Sequence, residues 1–184
     1  DRVSVTQRPE GRPIGYQKWS SLAFAHWRVP VEVLRPLVPE RLTIDTFDGS
    51  AWIAVVPFHM SNVRPAWYPF RYGYWPFHET NLRTYVHLDG RDPGVWFISL
   101  DAASRFAVWL GRTGWNLNYV FSEMSIEQTD NRIEYQSRRA ASRPGDPGEV
   151  DLALEVGDGV ALDGATPGTL EHFLAERYLL YSVD

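Results

Sequence analysis

Residues 77–86, FHETNLRTYV, constrain the fold more than any other stretch. Phe77, Thr80, Leu82, Thr84, Tyr85 and Val86 favour a pleated, half-buried surface, so the segment predicts a β-strand. Successive strand side chains point to opposite faces. Phe77, Glu79, Asn81, Arg83 and Tyr85 therefore share one face, and His78, Thr80, Leu82, Thr84 and Val86 share the other. The first face fits two settings: the wet outside of a sheet, or the polar lining of a barrel. Outside, Glu79 and Arg83 would attract by at most about 1 kcal/mol. Inside, an unpaired carboxylate costs several kcal/mol, so a partner is required, and Arg83 or Arg28 is the natural one.

The rest of the chain supplies strands to build such a sheet. Residues 19–29 alternate as a strand, and 29–39 read as a short helix opened by Pro30 and shortened by Pro36 and Pro39. Residues 42–63 read as two strands joined at Asp48-Gly49, a hairpin signal. Residues 64–76, rich in Pro, Arg and aromatics without period, read as a long loop serving either as a lid or interface element or as a plain connection. Strands follow at 77–88 and 95–101, then a helix at 102–112 with Asp101 as its N-cap. A second hairpin is expected at 117–128 and 132–140, across Asp130-Asn131. A loop at 143–149, a strand at 150–157, a helix at 166–177 opened by Thr166 and Pro167, and a strand at 178–183 complete the pass.

Eight or nine strands with three short helices predict an α+β protein on a mostly antiparallel sheet, curled or closed into a β-barrel with flanking helices. The length of 184 residues suits a single domain, here 1–184 with residues 1–16 as an N-terminal arm. Ending in a strand with an unpaired edge, it is expected to lack its C-terminal strands.

Composition removes several classes of function. A net charge of −5 argues against nucleic acid, whose phosphates need a basic field. There is no Cys, hence no disulfide or thiolate nucleophile, which fits a cytoplasmic setting. No apolar run approaches the roughly 20 residues that span a bilayer, and no signal-peptide core opens the chain. The histidines at 26, 59, 78, 87 and 172 have no metal-ligand spacing, so no metal is expected unless separate strands bring ligands together. No cofactor motif or G-x-S-x-G occurs. Lys18 is the only lysine, so Schiff-base chemistry would have to use it. Eight Trp and the aromatic loop point to self-association, most simply a homodimer.

FAHWRVPVEVLRPLVPERLTIDTFDGSAWIAVVPFHMSNVRP, then FHETNLRTYV, GVWFISLDA and ERYLLYS together resemble the DUF2071 (YqjF-like) family over residues 17–183. That resemblance implies the acetoacetate decarboxylase-like fold, a cone-shaped barrel. HWRVPVE is similar to a decarboxylase stretch that would make Arg28 a substrate-side arginine. FHETNLRTYV is similar to the strand carrying an active-site glutamate, here Glu79. The stretch ending in LNY places Tyr119 where the decarboxylase has its Schiff-base lysine, and Asn118 stands where the family pattern has Pro. Imine-forming decarboxylation is therefore not expected.

The expected function is a polar barrel pocket for a small anionic or oxo-acid metabolite. The chemistry would be lysine-independent proton transfer or addition–elimination. Glu79 would be the acid/base, Arg28 or Arg83 the carboxylate or oxyanion anchor, and Tyr119 an auxiliary donor. Asn81, Arg83, His26 and Arg64 complete the ligand-binding set. Non-catalytic small-molecule binding is the alternative, and a polar face buried only to fix strand register is a third reading.

Overall fold

A tight turn at Asp48-Gly49 leads into the long strand Ala51–Pro65. Phe47 and Ser50 exchange backbone hydrogen bonds of 2.9 and 3.1 Å, with Asp48 at φ 49° and Gly49 at φ 72°. This two-residue turn has the twist that antiparallel strands need. The computed structural model describes residues 2, 3, 5, 11–70, 75–139, 148–157 and 165–182.

Among the described residues ten strands form one sheet: β1 (Gly15–Ser20), β2 (Ala25–Val29), β3 (Thr43–Ile44), β4 (Ala51–Pro65), β5 (Phe77–Leu88), β6 (Arg91–Ala102), β7 (Tyr119–Thr129), β8 (Arg132–Arg139), β9 (Glu149–Glu155) and β10 (Leu179–Tyr181). The order is β1-β4-β5-β6-β7-β8-β9, with β2 also on β4, β3 on β5 and β10 on β6. Pairing is antiparallel except at β6–β7 and β6–β10. Among the described residues the sheet does not close on itself, so of the curled or closed barrel expected, the closed form is corrected to an open, mostly antiparallel sheet. Register shifts at Tyr16/Lys18, Leu82/Arg83 and Val86/Leu88 bend it locally.

Other boundaries moved for identifiable reasons. The strand expected at 19–29 is two strands, separated at Ser21, whose φ of 46° cannot continue a strand. β1 begins at Gly15, inside the stretch read as an arm. β3 pairs with β5 rather than folding back on β4. β4 runs on to Pro65, into the expected loop, of which residues 71–74 lie outside the described residues. The loop at 143–149 lies almost wholly outside them too.

The helices are α1 (Val31–Leu34), α2 (Arg105–Trp115) and α3 (Leu170–Ala175). Asp101 does not cap α2. β6 continues through Ala102, and Ser104 accepts the Ala107 N–H instead at 3.2 Å. Thr169, not Thr166, caps α3. β10 is held along one side. It pairs with β6 at residues 94–96, where Gly94 is required because a Cβ there would sit 2.7 Å from the Leu179 carbonyl.

Apolar packing is divided between the two faces. Leu34, Val38, Leu42, Ile44, Ala51 and Val86 form one cluster beneath α1. Trp52, Tyr85, Val95 and Phe173 of α3 form another, and Ala54, Val56, Phe58 and Met60 a third. The last two clusters are on the face carrying Glu79, because Phe58 pairs with Glu79 and Ala54 with Arg83. Among the described residues no helix is long and apolar enough to cross a membrane.

Candidate functional site

The Glu79 face of β5 looks inward. Glu79, Asn81, Arg83 and Tyr85 are all buried, Glu79 at 3% exposure and Tyr85 at 0%. Alternation alone puts them on one face, and the apolar row Ala54–Val56–Phe58 of β4 beside them turns that face to the interior. Of the two settings the sequence allowed, the wet outer surface is therefore excluded.

Glu79 does not find its partner in an arginine. Tyr119 Oη donates to Glu79 Oε2 at 3.0 Å. Burial pushes the Glu79 carboxyl up to about 8, against hydrogen bonds from Tyr119 and Asn81 that favour its ionised form. The carboxyl is thus mostly protonated at neutral pH. The Tyr119 phenol is pushed well above its ordinary range by burial and by Glu79, so it acts as a donor only. Tyr119 reaches this position because β7 runs parallel beside β6 and α2 presses on its ring through Gly111. A Cβ at Gly111 would lie 2.2 Å from Tyr119 Cδ2.

Arg83 forms the second pole. Its guanidinium lies 5.1 Å from the Phe24 ring and 5.7 Å from the Tyr85 ring, and donates from Nη2 to the Leu174 carbonyl of α3 at 3.3 Å. Among the described residues no carboxylate is at ion-pair distance from it. Arg83 Nε and Asn81 Oδ1 are buried, a donor and an acceptor without a hydrogen-bond partner among the described residues.

His26 of β2 is opposite Ala54, which is opposite Arg83, so it stands in the same row. Tyr85 Oη donates to the Leu174 carbonyl at 2.9 Å, leaving His26 Nε2 to donate to Tyr85 Oη at 2.7 Å. Burial, then the Arg83 charge, lowers the His26 pKa to about 4, so the ring is neutral at physiological pH. Tyr85, which ties β2, β5 and α3 together, was legible only as another aromatic on the face.

The other two arginines lie apart from Glu79. Arg28 is exposed and stacks 5.1 Å from the Trp52 ring. Arg64 is half-buried and stacks 4.3 Å from the Tyr16 ring. Lys18 is exposed on β1. A cavity of about 200 Å³, lined by Arg2, Phe47, Thr169, His172, Phe173 and Arg177 among others, does not include Glu79, Asn81, Arg83 or Tyr119. The buried polar row has the stronger chemistry, because the cavity's arginines are already committed to Asp45: Arg2 at 2.6 Å, and Arg177 Nη1 at 2.9 Å without hydrogen-bond alignment. Among the described residues no group of three metal-ligating side chains forms.

The sheet and flanking helices place the chain among proteins with the acetoacetate decarboxylase fold. Acetoacetate decarboxylase from Legionella pneumophila aligns with TM-score 0.53 at 13% identity, over 79% of this chain and 61% of that one. The enduracididine biosynthesis enzyme MppR, complexed with the condensation product of pyruvate and imidazole 4-carboxaldehyde, aligns with TM-score 0.56 at 12% identity, over 86% of this chain and 61% of that one. The chain thus spans about three-fifths of the length of these structures. Residues 16–184 match the model of DUF2071, an uncharacterized conserved protein family, and the chain belongs to that family. Its sequence is 39% identical over 174 residues to YqjF of Bacillus subtilis, covering 95% of this chain and 69% of that protein.

Proposed function

We propose that the chain binds a small anionic oxo-acid on the inward face of β5 and exchanges protons with it without forming an imine. The observation that carries this reading is the pairing of opposites on one buried strand. A protonatable carboxyl, Glu79, and a guanidinium with no carboxylate partner among the described residues, Arg83, flank Asn81. A buried cation without a counter-charge is costly, and an anionic ligand supplies one with matching planar geometry. MppR has been captured with pyruvate, which supports this ligand class on the same fold.

Arg83 would hold the carboxylate. Glu79, in its ionised form, would take a proton from the carbon beside the carbonyl and return one to it, so that atoms and charge balance over the cycle. Tyr119 would keep Glu79 oriented through its hydrogen bond. Lys18 plays no part: it is exposed on β1, and the position that the resemblance aligns with the decarboxylase lysine is Tyr119. Arg28 and Arg64, exposed or half-buried at the margins, would steer the anion rather than anchor it.

The test is proton exchange in D₂O. Wild type should wash deuterium into the carbon beside the carbonyl of pyruvate or a longer 2-oxo acid, read by NMR. The rate should rise with pH until about 8, where Glu79 becomes ionised. Glu79→Gln should bind without exchange, and Arg83→Met should not bind. Wild-type binding without exchange would favour the non-catalytic binder; no binding by any oxo-acid would refute the assignment. Self-association as a homodimer belongs to the same reading and is decided by light scattering.

A further inference from the structure

On the opposite face of the same two strands, His59 of β4 and His78 of β5 stand directly across from each other. Their Nδ1 atoms are 3.2 Å apart, with ring centroids 4.9 Å apart and ring planes at 56°. Both rings are half-buried, so solvent reaches the pair. Two neutral imidazoles at this distance share one proton between two nitrogens. That separation has a second meaning. Two nitrogens 3.2 Å apart, each about 2.05 Å from a common ion, subtend an angle of about 103° at it. This lies between the right angle of square-planar coordination and the tetrahedral angle.

We propose that His59 and His78 form a two-histidine chelate for a borderline divalent transition ion of the zinc or copper class. The strands hold the two donors at the required separation before any ion arrives, and the rings need to turn off the direct Nδ1···Nδ1 line for both lone pairs to converge on it. Imidazole nitrogen suits these ions and does not select Mg²⁺ or Ca²⁺. When both rings are neutral, binding through both Nδ1 atoms moves the shared proton to the Nε2 of its own ring, so no proton need be released. Burial, and the neighbouring His59, keep His78 below the ordinary histidine range, which favours the neutral ligand form.

No third His, Asp or Glu joins the pair among the described residues. Asp101, one pairing row further along this face opposite Thr80, is held in two bonds of 2.8 Å by Arg139 and in one of 3.0 Å by Ser122. The remaining coordination positions are therefore open to water or a small donor, and the affinity should be modest. The site is independent of the Glu79 face and stands or falls without it.

The experiment is calorimetric titration of the chain with ZnCl₂, paired with ¹H–¹⁵N correlation of the histidine rings. Wild type should bind one ion, and His59→Gln and His78→Gln should each weaken binding roughly tenfold or more, about 1.4 kcal/mol. Should a variant misfold, the wild-type spectrum decides alone: the Nδ1 resonances of both residues should move together on zinc addition. Binding that survives both substitutions, or shifts confined to His26, His87 or His172, would overturn the proposal. So would the absence of any zinc binding.

Discussion

Replacing Glu79 with Gln should change how stability depends on pH, and the size of the change follows from its burial. In the unfolded chain the carboxyl ionises near 4.5, and in the folded chain near 8. The folded state therefore holds its proton over a window in which the unfolded state has lost it. Stability is fully present below pH 4.5 and falls as pH rises, by about 1.4 kcal/mol per unit until about pH 8. The full loss is about 5 kcal/mol as an upper figure. Gln has no such proton. The variant should match wild type near pH 4.5 and gain on it steadily, reaching several kcal/mol at pH 8. For a chain of this length that is roughly 10 °C in Tm. His26 titrates in the opposite sense. Its depressed pKa loses stability as pH falls from 6.5 towards 4, so the wild-type profile is flattened over that range while the variant's rises with pH. The difference between variant and wild type cancels that term. Urea midpoints at half-unit steps from pH 4.5 to 9 read it directly. A constant difference across the range would mean that Glu79 is already ionised, and the buried neutral acid would be wrong.

Tyr119→Phe removes the 3.0 Å bond that favours the Glu79 anion, so the Glu79 pKa should rise further, seen as an exchange–pH profile displaced to higher pH. Gly111→Ala ought to be destabilising despite about 1 kcal/mol of better helix propensity. Its Cβ meets the Tyr119 ring, and thermal melts would register the loss. Asp101→Asn breaks the paired bonds from the largely buried Arg139 and should cost about 3–5 kcal/mol in urea unfolding.

The polar face was legible because a strand's period of two needs no tertiary knowledge. Glu79, Asn81, Arg83 and Tyr85 share a side in any fold that extends residues 77–86. What they face was not legible, because Phe58 and Ala54 beside them come from another strand. Alternation could not reveal the partner of Glu79, which is brought in by a parallel strand and a helix packed through one glycine. Asp101 and Ser104 were equally good caps by chemistry, and the pairing of β6 with β5 and β7 decided between them. His59 and His78 are 19 residues apart; their meeting is a fact of register, invisible to spacing rules written for single helices.

One edge of β6 is shared by two strands, β10 at residues 94–96 and β7 at 100–102. Between them Asn118 fills the gap, its Nδ2 donating to the Ile98 carbonyl at 2.9 Å and its carbonyl accepting the Leu100 N–H at 3.1 Å. During synthesis this edge is completed in two instalments. β7 follows β6 off the ribosome within some twenty residues, but β10 arrives about eighty later, or several seconds at ordinary elongation rates. For that interval the nascent chain presents bare backbone around Gly94, where another extended segment could anneal. Asn118 limits the opening by covering the adjoining carbonyl early. Substitutions there should betray themselves first as poor yield and aggregation in the cell, before any effect on the purified, folded protein.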